Sequence, residues 1–175
     1  ERHVPLGDGL RLVTSPSIRA VETANLVLPK AAWTTDELVR GQVWGGIECL
    51  PWSEWPEFCK SNGYDTLPSG FHQAYPNGEA LAEVWKRTRE LINSLDGNTL
   101  VVTHGEVLLT TRIILESVPE LDYHKLERNG NYIRNGHVAW YSKRNPYTGK
   151  LSQRFSFRRM WFDNTDTGWI KLTPR

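Results

Sequence analysis

Two hydrophobic periods alternate along this chain. Leu10 to Thr14 ("LRLVT") is a short apolar run of strand type, and after it Ile18, Val21, Ala24 and Leu28 recur at three- and four-residue steps, near one side of a helix. Ser15 can cap that helix and Pro16 suits its first position. The plan repeats downstream: "NTLVVTHG" reads as a strand ending in Thr103, and "EVLLTTRIILES" predicts a helix over Glu106 to Ser117. Between these units, Leu81, Val84, Trp85, Thr88, Leu91, Ile92 and Leu95 form the apolar stripe of another helix, and "DGN" at Asp96 to Asn98 turns it into the next strand. Strand, helix, helix, strand, helix predicts an α/β fold, a sheet with helices packed on its faces.

The C-terminal third changes period. "HVAWYSK" and "LSQRFSFRR" alternate on either side of "RNPYTGK", a turn with Pro and Gly, so a β-hairpin is expected there, and "GWIKL" offers one more strand. From about Leu50 to Asn77 the chain is rich in Trp, Pro, Ser and Gly without clear period, which predicts a long insertion with one short helix. Insertions of that length often serve as lids.

Composition narrows the function classes. With 175 residues, 39% of them hydrophobic, the chain can bury one core, and a single domain over residues 1–175 is expected. Its 21 Lys and Arg against 20 Asp and Glu give a net charge of +1, with no general attraction for nucleic acid or an anionic membrane. Any anion site must therefore be local. Cys49 and Cys59 lack metal-ligand spacing and read as two reduced thiols, which together with the absence of a membrane-length apolar run gives a cytoplasmic expectation. The opening "ERHVPLGDG" resembles no signal peptide.

The candidate chemistry sits at the two strand ends. In open α/β sheets, ligands lie beyond the carboxyl ends of the strands, where the following helices direct their unpaired N–H groups. Arg19 falls in the first turn after one such strand and His104 at the end of the other. An arginine fork can grip two phosphoryl oxygens, an imidazole can donate to the same group or carry its proton, and Gly105 lets a backbone approach closely. From spacing alone, Arg19 could equally be a solvated helix residue and His104 a satisfied histidine at a loop edge. His72, His124 and His137 read as structural. Trp44, Trp52 and Trp55 either wall a substrate pocket or pack the irregular insertion. Lys143, Arg144, Lys150, Arg154, Arg158 and Arg159, interleaved with Tyr147, Phe155 and Phe157, read as a solvated hairpin face, with RNA binding as the alternative. No metal-ligand cluster, Walker loop or G-x-S-x-G elbow is present in the sequence.

"SPSIRAVETA" resembles the S-P-x-x-R-A-x-x-T-A segment of the histidine phosphatase superfamily, the phosphoglycerate mutase-like family. "VVTHGEV" is similar to its second histidine motif, "PNGEALAEVWKR" to the G-G-E-S helix before it, and "VRGQVWGGIE" to the segment between them. The four occur in the family's order over about Leu10 to Glu48 and Asn77 to Val107. The resemblance implies a three-layer α/β/α sandwich with a mostly parallel sheet. It implies a phosphatase that hydrolyses a small phosphomonoester through phosphohistidine, with no metal or other cofactor; the charge balance and the lack of a membrane-length apolar run add the expectation of neither nucleic acid nor membrane as partner. Arg19 and His104, with Gly105, would bind the phosphoryl group, and Arg19 and His104 would also take part in catalysis. The alternative is an inactive homologue that binds a phosphorylated ligand or a protein.

Two elements of that family's pattern are not recognisable. Its nucleophilic histidine lies in an R-H-G motif ending the first strand, whereas Arg2-His3 is followed by Val4 and lies only twelve residues before Ser15. "ERHVPLG" is more similar to the loop after that motif. The expectation is a domain lacking its R-H-G strand among these residues, with His3 as the fallback nucleophile. The family's acid, a glutamate four residues before a glycine, maps from Gly45 onto Gly41. Of the nearby carboxylates Glu37 and Glu48, Glu48 is the expected general acid.

Overall fold

A computed structural model describes residues 9–64, 70–127, 133–162 and 165–173. In chain order the elements are β1 (Arg11–Thr14), α1 (Ile18–Val27), β2 (Thr34–Thr35), α2 (Trp55–Ser61), α3 (Leu81–Asn93), β3 (Thr99–Val102), α4 (Gly105–Leu115), α5 (His124–Glu127), β4 (Val138–Ser142), β5 (Phe157–Phe162), β6 (Thr165–Asp166) and β7 (Ile170–Lys171). They fall into two compact units, Glu1–Thr111 and Arg112–Arg175, and the division runs through α4.

The first unit is built on a parallel sheet of order β2-β1-β3. Thr14 of β1 lies opposite Val102 of β3, so both strands end at the same level. Val13 is fully buried and packs with Val39 and Leu91 at the centre of the core, flanked by Leu38, Leu95 and Val101. Burying one such valine is worth roughly 1.5–3 kcal/mol. Val39 arrives on a 3-10 turn, Glu37–Val39, whose start is capped by Asp36 Oδ1 accepting from the Leu38 N–H at 2.9 Å.

The helix after β1 starts later than its apolar spacing predicts. Ser17, not Ser15, is the N-cap, and Pro16 stands outside the helix. The buried face is Ala20 and Ala24, two small residues, while Ile18 is 77% exposed. The cause is local: the fully buried Ser15 stays with the strand, its N–H donating to Val102 O at 2.9 Å, and the helix can begin only after Pro16. Helix α3 follows its predicted stripe, burying Leu81, Val84, Thr88 and Leu91, and adds a buried Arg87 to that face. The long insertion holds α2 as its short helix, with Cys59 buried and Cys49 exposed, both as free thiols.

The second unit contains the predicted hairpin. Strands β4 and β5 are antiparallel, β6 pairs antiparallel with β5, and β7, within "GWIKL", also pairs with β5. Cross-strand pairs Tyr141–Arg158 and Ala139–Met160 share one face; Trp140–Arg159 and Val138–Trp161 share the other. On the first face, Tyr141 Oη donates to Glu116 Oε1 at 2.8 Å, and Arg112 and Arg158 both pair with Glu116. Two guanidinium groups hold the Glu116 carboxyl below the usual range although burial opposes this. Among the described residues no helix is long and apolar enough to cross a membrane.

Candidate functional site

The parallel register of β1 and β3 sets Ser15 beside Thr103 and His104, just past the strand ends. His104 Nε2 is 2.8 Å from Ser15 Oγ, and His104 Nδ1 is 3.0 Å from Arg19 Nη2. A guanidinium can only donate. Nδ1 must therefore accept from Arg19, and the proton of the neutral ring sits on Nε2, donated to Ser15 Oγ. The electrostatics agree with a neutral ring: partial burial, then Arg19, then Arg87 lower its pKa from 6.5 to about 4.

Both helix starts converge here. Arg19 lies in the first turn of α1, and Gly105 is the first residue of α4, exposed, with open space where a side chain would be. A third element closes the group. A Cβ on Gly41 would stand 3.2 Å from Arg19 Nη2 and 3.3 Å from His104 Cγ, so the backbone of the 38–43 segment lies directly against the pair.

That segment is held by a charge network which spacing alone does not disclose. Glu79, on the approach to α3, is buried and accepts from Arg87 Nε at 3.0 Å and from Arg40 Nη1 at 3.0 Å. Arg87 also donates to Leu38 O at 2.8 Å and to Gly41 O at 3.2 Å. Backbone bonds complete the seam, with the Glu79 N–H donating to Val43 O at 2.7 Å. Burial raises the Glu79 pKa, but its hydrogen bond to Arg87 and the two guanidinium charges, aided by the Val43 N–H, bring it below the carboxylate norm. Glu79 and Arg87 both belong to "PNGEALAEVWKR", and that segment's resemblance to the family's G-G-E-S helix was the available signal; Ser15 offered none, because it read as a helix cap.

The remaining expected residues make none of these contacts. Glu48 is exposed at the end of the 3-10 turn Gly45–Ile47. Gly45 has φ +65°, and a Cβ there would stand 2.2 Å from Pro76 O, so only glycine fits this turn. Glu37 pairs with Arg40 at 3.7 Å. Trp55 packs against both Trp44 and Trp52, its ring 4.1 Å from that of Trp52, Trp44 and Trp55 meet Tyr75, and Trp52 is 70% exposed. His72 and His124 stack edge-on against their neighbours Phe71 and Tyr123, and His137 Nδ1 accepts the Arg134 N–H at 3.1 Å. His3 lies outside the described residues.

Fold and strand-end crevice together define an α/β protein of the open-sheet kind. The chain belongs to the histidine phosphatase superfamily (branch 1), whose family model matches residues 6–144. Solved structures agree on the fold. Bacillus stearothermophilus YhfR is 22% identical, with 89% of this chain and 70% of that one covered and a TM-score of 0.56. The alpha-ribazole phosphatase from Shigella flexneri is 22% identical, with 66% and 60% covered and a TM-score of 0.57. A mycobacterial glucosyl-3-phosphoglycerate phosphatase, solved with inorganic phosphate, is 18% identical, with 65% and 61% covered and a TM-score of 0.54. This chain thus spans about three fifths of the length of the last two. No curated protein matches the sequence significantly.

Proposed function

We propose that this protein binds the phosphoryl group of a small phosphomonoester at the Arg19–His104 pair and takes part in its hydrolysis through a phosphohistidine. The observation that carries the reading is the 3.0 Å contact between a guanidinium and a neutral imidazole at the ends of two adjacent parallel strands. Arg19 directs one prong of its guanidinium fork, Nη2, at His104. A phosphoryl group would draw that fork away and accept from the imidazole once the ring proton moves to Nδ1. Gly105 and the N–H groups of the α1 and α4 first turns supply further donors. The phosphatases whose folds this chain shares act on small phosphorylated molecules, which supports that substrate class.

The reaction has two displacements. A histidine nitrogen attacks phosphorus, the P–O bond to the substrate breaks, and the leaving oxygen takes a proton, assigned here to Glu48. Water then attacks phosphorus, the P–N bond breaks, and orthophosphate leaves. Arg19 and His104 hold the equatorial oxygens in both steps. The nucleophile is assigned to a further strand. Among the described residues β3 pairs with β1 alone, so its other edge can accept one. This assignment goes with reading residues 1–175 as a single histidine-phosphatase-like domain.

A second reading has its own observation. Gly41, the position onto which the family's acid maps, lies with its backbone against Arg19 and His104, as it would in an inactive homologue that only holds a phosphorylated ligand. Turnover of an aryl phosphate, with acid-labile phosphate on histidine, separates the two. The enzyme reading predicts both signals, and Arg19→Ala or His104→Ala should lower turnover by about 100- to 1000-fold. Thermal protection by phosphate without turnover selects the binding homologue; folded variants with full activity contradict the site assignment.

A further inference from the structure

The near-zero net charge hides a segregation. Residues 112–175 carry 12 Lys and Arg against 6 Asp and Glu, whereas residues 1–111 carry 9 against 14. Residues 133–162 hold seven Lys and Arg, seven aromatic residues and no Asp or Glu at all. Partners from outside this stretch neutralise two of those cations, Glu116 pairing with Arg158 and Asp166 with Arg159. Among the described residues, Lys143, Arg144, Lys150 and Arg154 have no carboxylate partner.

Lys143, Arg144 and Lys150 frame one ordered turn, and Arg154 follows the Arg144–Leu151 bridge that closes it. The Asn145 N–H donates to Lys150 O at 2.8 Å, Asn145 Oδ1 accepts the N–H groups of Tyr147 and Thr148, and Arg144 Nη1 donates to Gly149 O at 2.8 Å. Tyr147 projects from the turn, 74% exposed, and the Lys143 ammonium lies 5.0 Å over the Phe155 ring. The strands leading from this turn carry an aromatic group. Trp140, 37% exposed, stacks with Trp161 at 6.3 Å and meets Trp169 edge-on at 4.9 Å. Arg159 lies 4.9 Å over Trp161, fixed in place by its fork to Asp166.

We propose that the Trp140 face of the β4–β5 hairpin and its basic turn bind single-stranded nucleic acid. The chemistry selects this partner. Phosphates answer the four cations that have no carboxylate partner among the described residues, and unpaired bases offer flat faces to Trp140 and Tyr147. A duplex keeps its base faces stacked inside, and an apolar protein surface would leave the four cations buried without partners. The proposal is independent of the phosphatase reading, because none of its residues belongs to the Arg19–His104 site.

The test is fluorescence anisotropy of the full chain with a labelled oligouridylate of about 12 nucleotides. Four phosphate contacts predict a log–log salt slope of about −3, an affinity loss of about 50-fold between roughly 50 and 200 mM salt. The double variant Lys143→Ala/Lys150→Ala, on an exposed turn, should weaken binding and make that slope shallower by about 1.4. Trp140→Ala should cost about tenfold and leave the slope unchanged. A duplex of equal length should bind more weakly than the single strand. No binding of the oligonucleotide, equal affinity for the duplex or for heparin, or a slope the lysine variants do not move would each overturn the proposal. Binding to anionic vesicles in place of the oligonucleotide would overturn it as well.

Discussion

At the scale of single residues, the site turns on one imidazole whose proton is placed by its neighbours. Arg19 can only donate, so Nδ1 of His104 accepts and Nε2 donates to Ser15 Oγ. This neutral state has a consequence for stability. The folded pKa, about 4, lies below the unfolded value near 6.5, so the unfolded chain binds the proton first as pH falls. The contribution is fully present above pH 6.5 and is lost on acidification toward pH 4. A urea midpoint that drops between pH 7 and pH 5, and drops less in His104→Asn, is the expected outcome; identical drops in both proteins would contradict it. Bound phosphate should reverse the shift, since its negative charge opposes Arg19 and Arg87. An imidazole NMR titration should find the His104 pKa raised in phosphate. Arg19 and His104 were legible from their positions after two strand-like runs. Ser15 and Gly41 were not, because their roles come from strand register and a backbone approach that no local pattern encodes.

At the scale of elements, amphipathic segments were read well and polar junctions poorly. Helix α3 and the β4–β5 hairpin carry their periods openly, so burial followed the stripe. Helix α1 did not, since Ser15 is bound to β3 and His104 and two alanines form the buried face. The junction between the 38–43 segment and α3 rests on Glu79, Arg40 and Arg87, charged residues that periodicity sends to the surface. Glu79→Gln leaves Arg87 buried without its counter-charge and should cost about 3 kcal/mol, read from denaturant unfolding. It should also loosen Gly41 from the site and so lower phosphate affinity. Gly45→Ala tests the adjoining turn: a Cβ 2.2 Å from Pro76 O at φ +65° forces the backbone to move. A loss of about 2 kcal/mol or more is expected, against no change if the turn can rearrange freely.

At the scale of the whole molecule, a net charge of +1 averages over an uneven distribution. The acidic residues are concentrated in residues 1–111 and the basic ones in residues 112–175. Averaging over the chain erased that difference. Fold class was legible because strand and helix periods alternate. The site, in contrast, draws on Ser15, Arg19, Gly41 and His104, brought together only when β1 and β3 pair in parallel. The central claim is that this point of convergence holds a phosphoryl group. Calorimetric titration of the full chain with inorganic phosphate, alongside Arg19→Ala, tests it most directly. The account predicts a single saturable site in the parent protein and its loss in a variant that stays folded. Equal phosphate binding by both proteins, or none by the parent, would contradict it.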